Sequence, residues 1–119
     1  MKKFAAIVLL IACSIAILSG CGEGRPAMTG RCLVTANGQY LIIGDDNGEP
    51  TVMCNQSGKA NLFDELQTGD KIKITYDRIL LTYPSQTNAY GCKIIERGSL
   101  ADIPQDIYDQ LTEMGWIFE

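Results

Sequence analysis

A chain of 119 residues with 10 basic and 14 acidic side chains carries a formal charge of −4 and contains no histidine. The acidic balance forfeits the counterion release that drives binding to a phosphate backbone, so nucleic acid is not an expected partner. Without histidine the chain lacks the commonest metal ligand and the only side chain that titrates near neutrality unaided, which weighs against hydrolases and zinc sites.

Lys2 and Lys3 open the chain, and Phe4 to Leu18 is an uninterrupted apolar run without charge. Its length suits the core of a secretory signal. It falls short of the roughly 20 apolar residues needed to cross a hydrocarbon layer about 30 Å thick. Leu18-Ser19-Gly20-Cys21 follows, an aliphatic residue, two small ones and a cysteine.

This order of features resembles the lipobox of bacterial lipoproteins. The resemblance implies a signal peptide over residues 1–20, a diacylglycerol on the Cys21 thiol and cleavage between Gly20 and Cys21. It places the mature protein at the cell membrane, lipid-anchored on the extracytoplasmic side. In an envelope with two membranes, Gly22 in place of the aspartate retention signal implies the outer one. At about 0.8 kcal/mol per buried methylene, two or three acyl chains hold a protein permanently. The alternative is a plain membrane helix or an ordinary signal with a coincidental cysteine. Losing Lys2 and Lys3, the only charges in the segment, leaves eight basic residues against 14 acidic ones, a formal −6.

Cys13 departs with the leader and Cys21 takes the lipid, so Cys32, Cys54 and Cys92 remain, an odd number that allows at most one internal bridge. All three lie in strand-like stretches, where a free thiol behaves as a small buried hydrophobe. Buried thiols and a single disulfide both stay open. Residues 21–29 (CGEGRPAMT) read as a flexible linker after the lipidated cysteine, and the folded domain is expected over 30–119.

Short β-type runs separated by turn signals follow. Arg31 to Thr35 is the first strand. Asn37-Gly38 predicts a two-residue type I′ hairpin, since both residues tolerate positive φ. Tyr40 to Ile43 is the second strand, Asp45 to Gly48 a turn, and Thr51 to Cys54 the third strand of a meander. Asn61 to Gln67 suits a single helical turn capped by Asn61. Lys71 to Tyr76 alternates cleanly, with Ile72, Ile74 and Tyr76 on one face and Lys71, Lys73 and Thr75 on the other. Ile79 to Tyr83 continues this strand or starts another. Pro84 ends it, Ser85 to Ala89 is an expected exposed loop, and Cys92 to Arg97 is the last core strand. Asp102 to Met114 is predicted helical, with Pro104 in the first position and Ile103, Ile107, Leu111 and Met114 as one apolar stripe.

Three strands, a short inserted helix, two more strands and a C-terminal helix make a mainly β domain with the element order of an OB-like five-stranded barrel. The stretch from Leu62 to Tyr76 (FDEL, TGD, KIKITY) also resembles small OB-like domains of envelope lipoproteins. A generic β-meander carrying a packed helix is the rival.

Candidate sites are few. Asp45-Asp46-Asn47-Gly48-Glu49 superficially resembles a calcium loop, but Glu49 and Pro50 stand where the EF-hand spacing wants a third Asp or Asn and then Gly. No metal and no cofactor is expected. Tyr40, Tyr76, Tyr83 and Tyr90 could form a stacking face for sugars or single strands, as OB barrels use, with the Asp77–Ala89 loop as a wall. Tyrosines also suit half-buried strands with their hydroxyls at the wet edge. Asp106, Asp109 and Glu113 read as a solvated helix face, and Trp116 and Phe118 as packing onto the barrel. No serine sits in a GxSxG context, so no nucleophile is expected.

The expectation is a non-enzymatic, lipid-tethered binding or interaction module whose protein or small-molecule partner is unknown. A structural accessory subunit of an envelope complex is the second reading. A carboxylate-dependent enzyme acting on sugars is the third, and it requires two acids about 5 to 9.5 Å apart across a cleft.

Overall fold

The computed structural model describes residues 24–119; the leader, Gly20 and Cys21 lie outside the described residues. The strands are β1 (Ala27–Val34), β2 (Tyr40–Gly44), β3 (Pro50–Asn55), β4 (Lys71–Leu80) and β5 (Ser85–Glu96). A 3-10 turn (Leu100–Asp102) and one helix, α1 (Gln105–Glu113), complete the domain. The strands close into a barrel in the order β1-β2-β3-β5-β4. Every neighbouring pair is antiparallel except β3 and β5, which run parallel from Thr51↔Ser85 to Asn55↔Ala89. This is the five-stranded OB-like barrel with a C-terminal helix that the element order predicts.

The elements differ from expectation in informative ways. The type I′ turn is replaced by a three-residue loop. Gly38 has φ +84° while Asn37 stays at negative φ, and Thr35 and Gln39 pair on either side, with Thr35 N donating to Gln39 O at 2.9 Å. A type I turn followed by a left-handed glycine gives this geometry. Strand β1 begins at Ala27, inside the expected linker, because β4 runs to Leu80 and offers Thr75 and Ile74 as partners for Ala27 and Met28. The expected loop at 85–89 is strand, paired with both β3 and β4. The inserted helix is absent: residues 59–66 make successive i→i+3 turns, such as Leu66 N to Phe63 O at 3.0 Å. A segment this short between Gly58 and Gly69 does not recover the cost of helix nucleation. Pro104 stands one place earlier than expected, as the residue before α1, and Met114 leaves the apolar stripe for solvent.

Two apolar layers result. Inside the barrel, Cys32, Val34, Ile42, Met53, Ile72, Ile74 and Ala89 meet, and Phe63 and Leu66 close one end. Outside it, Leu33, Leu41, Ile43 and Val52 face Ile103 and Leu111, with Ile107, Tyr108, Trp116 and Phe118 packed around them. Helix α1 therefore lies on the outer face of β1–β3. The C-terminal residues lock it there: Ala36 N donates to Ile117 O at 2.9 Å, and Phe118 bridges to Thr35.

One end of the barrel is tied by a buried carboxylate. Asp70 is fully buried, and its oxygens accept from Gln67 N at 2.9 Å, Gly98 N at 3.1 Å and Arg97 Nη1 at 2.8 Å. Its neighbour Gly69 has φ +95°, and a Cβ there would collide with the backbone of Ser99.

Candidate functional site

OB barrels bind ligands on the β2–β3 face between the β1–β2 and β4–β5 loops. In this chain α1 and the Trp116–Phe118 segment cover the middle of that face. Two grooves remain along the edge of the cover, and they meet at Gln39 and Trp116. One, of about 420 Å³, runs between the β1–β2 loop and the end of α1, lined by Asn37, Gln39, Met114, Trp116 and Ile117. The other, of about 390 Å³, reaches the β4–β5 loop, lined by Gln39, Cys54, Tyr83, Gln86 and Trp116. Together they form a bent cleft framed by both loops. Its groups are amides, a thiol, a phenol and an indole beside aliphatic surface, a chemistry that holds a neutral or apolar segment by contact and hydrogen bonding.

The β4–β5 loop is held in place from both sides. Thr82 Oγ1 donates to Pro84 O at 2.8 Å, and Tyr83 OH donates to Gln110 Oε1 of α1 at 2.8 Å. Burial, with Glu49 and Asp106 nearby, raises the Tyr83 phenol above its ordinary range, so it stays a neutral donor.

The four candidate tyrosines lie in different settings, and only Tyr83 borders the cleft. Tyr40 packs its ring 5.1 Å from Phe63 at the end of the barrel interior. Tyr76 packs against the interior cluster. Tyr90 lies on the outer face, with Arg25 3.7 Å above its ring and its hydroxyl donating to Asp77 Oδ2 at 2.8 Å. Asn88 Nδ2 also donates to that oxygen, at 3.1 Å. Hydrogen bonds from Asn88 and Tyr90 hold the Asp77 carboxyl down at about 2. Asp77 is therefore ionised in the fold across the ordinary pH range, and its contribution to stability, complete above the ordinary carboxylate value of 3.8, is lost as pH falls from there through about 2. Of the Asp77–Ala89 segment expected to wall a groove, residues 82–84 and Gln86 do so, and most of the segment is strand.

The turn after β2 spends its acid on the barrel. Asp45 Oδ2 accepts from Thr29 Oγ1 at 2.8 Å and lies 3.6 Å from Lys71 Nζ.

The three thiols differ sharply. Of the two arrangements left open, no bridge joins the three: all are free thiols, with Cys32 buried in the barrel, Cys92 half-buried and Cys54 exposed at the cleft. The difference follows from position: Cys54 sits beyond the last buried residue of β3, where burial falls away after Met53. Burial pushes the Cys32 thiol up to about 12 and the Cys92 thiol up to about 11. Only the thiolate is a competent nucleophile. A maleimide at pH 8 should therefore modify Cys54 first, Cys92 far more slowly, and Cys32 only in denaturant, as peptide mass mapping would show. Modification of Cys32 in native protein at the rate of Cys54 would contradict this burial.

No protein-family profile matches the chain, and a search of curated proteins finds no relative.

Proposed function

We propose that this chain is a lipid-anchored lipoprotein of the bacterial cell envelope whose OB-like barrel serves as a non-enzymatic interaction module. The observation that carries this reading is the ordered N-terminal run: two lysines, the charge-free stretch from Phe4 to Ile17, apolar but for Ser14, then Leu18-Ser19-Gly20-Cys21. The barrel supports it, because β1 starts six residues after Cys21. That spacing leaves only a short tether between the modified cysteine and the fold. The cleft beside Trp116 supports the second half of the reading, since its neutral hydrogen-bonding and apolar groups suit an uncharged peptide segment or small molecule. An accessory role in an envelope complex draws on the same place: Ile117 and Met114 stand exposed on the cleft's rim.

Expression of the full chain in a bacterium that processes lipoproteins tests the address. The wild-type protein should fractionate with membranes, and its intact mass should equal the chain from Cys21 plus acyl groups. Cys21→Ser should retain its leader at the Gly20–Ser bond and carry no acyl mass. A Cys21→Ser protein that is cut at the same bond and stays with the membrane would overturn the reading.

A further inference from the structure

The β4–β5 hairpin carries an exposed apolar tip that no other element among the described residues covers. Leu80 is 58% exposed, Leu81 88% and Tyr83 37%. Two adjacent leucines at a loop tip are poor choices for a surface that meets only water, and Tyr83 turns its hydroxyl back toward α1, leaving the leucines as the leading edge.

The strand register gives this tip a direction. Because β1 and β4 are antiparallel, with Ala27 opposite Thr75 and Met28 opposite Ile74, β1 followed backward runs alongside β4 toward that tip. The pairing continues past the strand, with Tyr76 N donating to Pro26 O at 3.0 Å. Arg25 then lies over Tyr90, at the root of the hairpin. Arg25 stands four residue steps after Cys21, a reach of at most about 14 Å. Five residues of extended chain carry β4 from Tyr76 to Leu81, about 16 Å. Cys21 can therefore lie level with the leucines. Arg25 and Arg78, both exposed, flank Tyr90 and its partner Asp77 behind the tip; the carboxylate offsets one of the two guanidinium charges and the other remains to meet a lipid phosphate. Glu49 and Asp106 lie toward Tyr83, on the side that faces α1.

We infer that the β4–β5 tip is a second membrane contact: Leu80 and Leu81 enter the interfacial layer of the bilayer that holds the Cys21 lipid, and so fix the orientation of the barrel. This rests on the lipid-anchor reading above. With the tip seated, the barrel lies close to the lipid on a short tether, and the hairpin acts as a strut. An apolar wedge of this kind seats about 5–10 Å into the headgroup boundary.

The test uses the full acylated protein in vesicles of phosphatidylethanolamine and phosphatidylglycerol. In a Cys54→Ser background, an environment-sensitive fluorophore is placed at Leu81→Cys, or, as a control at the opposite end of the barrel, at Glu65→Cys. The expected result is a blue shift and quenching by headgroup-region spin-labelled lipid at position 81, with neither change at position 65. A Leu80→Ser, Leu81→Ser protein should still float with vesicles, because the acyl chains remain, but a probe on the adjacent Thr82→Cys should lose its quenching. If the wild-type protein does not float with vesicles, the anchor reading fails. If it floats while the probe at 81 stays as wet as the probe at 65, the anchor stands and the membrane contact is overturned. A blue shift at 81 without vesicles that depends on protein concentration would assign the tip to a second copy of this chain instead, and would also overturn it.

Discussion

Asp70→Ala should cost the domain about 2–5 kcal/mol, because it leaves two buried backbone donors without an acceptor at about 1–3 kcal/mol each. The carboxylate is fully buried and has three partners: the Arg97 guanidinium and the backbone N–H groups of Gln67 and Gly98. These belong to the turn that enters β4 and the segment that leaves β5, so one side chain joins the two ends of the hairpin. The same turn is stitched to β1, with Cys32 N donating to Asp70 O and Gly69 N donating to Cys32 O, both at 2.8 Å. Alanine would leave two backbone donors without their acceptor and a guanidinium without its counter-charge. Arg97→Ala should cost clearly less, because the arginine side chain is 54% exposed and water takes over its role while Asp70 keeps its two backbone donors. Urea denaturation of both variants gives the comparison. Equal losses, or a loss below about 1 kcal/mol for Asp70→Ala, would show that the carboxylate is not the tie described here.

Leu111→Ala should cost about 2–5 kcal/mol, the range for truncating a buried leucine, and should loosen the cover over β1–β3. Leu111 is fully buried, in the layer formed with Leu33, Leu41, Ile43, Val52 and Ile103. It is also the residue on which the chain turns back, since Trp116 N donates to Leu111 O at 3.0 Å. Trp116 is the only tryptophan of the chain, so its emission reports this layer directly and should move to the red in the variant. Met114→Ala, three residues on and exposed, should change stability by no more than about 0.5 kcal/mol. Similar losses for both variants would mean that α1 is not held by its buried stripe.

The strands that were easiest to read are those with one wet face. Lys71 to Tyr76 alternates because Ile72 and Ile74 fill the barrel while Lys73 meets water, and that alternation holds in the structure even though the pairing with β5 shifts at Lys71/Ile72 and Thr75/Tyr76. Strand β2 carries a different signal. Leu41, Ile42 and Ile43 form a continuous apolar run, all buried, because Ile42 points into the barrel and its two neighbours lie under α1. A continuous run marks a strand covered on both sides, and it is the feature by which the covered β2–β3 face could have been found. The helix itself was legible from Ile103, Ile107 and Leu111, but its resting place was not, since periodicity identifies a face without naming its partner.

The cleft was less legible than the fold. Gln39, Cys54, Gln86 and Trp116 come from four separate segments and have no common spacing; only the closure of the barrel brings them together. The tyrosines, by contrast, looked like a set because of their residue type, and the barrel distributes them by strand parity and position. Asp70 was hidden in a plain Thr-Gly-Asp turn. Nothing in three residues indicates that a carboxylate is buried there, because the groups that satisfy it lie at Arg97 and Gly98. The expected loop at 85–89 failed for a related reason. Ser85 to Asn88 is polar, yet parallel pairing with β3 gives its backbone partners that a local reading does not see.

The bridge between Thr35 and Phe118 sets an order of events. The ribosome makes Leu33, Leu41 and Ile43 early, and the side chains that cover them arrive only when residues 103–118 have emerged. Until then the nascent domain presents a greasy sheet to its surroundings, a surface of the kind that chaperones bind and that neighbouring chains can pair with. Parallel β3–β5 pairing adds a second long-range requirement, and such topologies fold slowly. Closure of the β1–β3 face therefore waits on residues 103–118, about 70 residues beyond the first strand they cover.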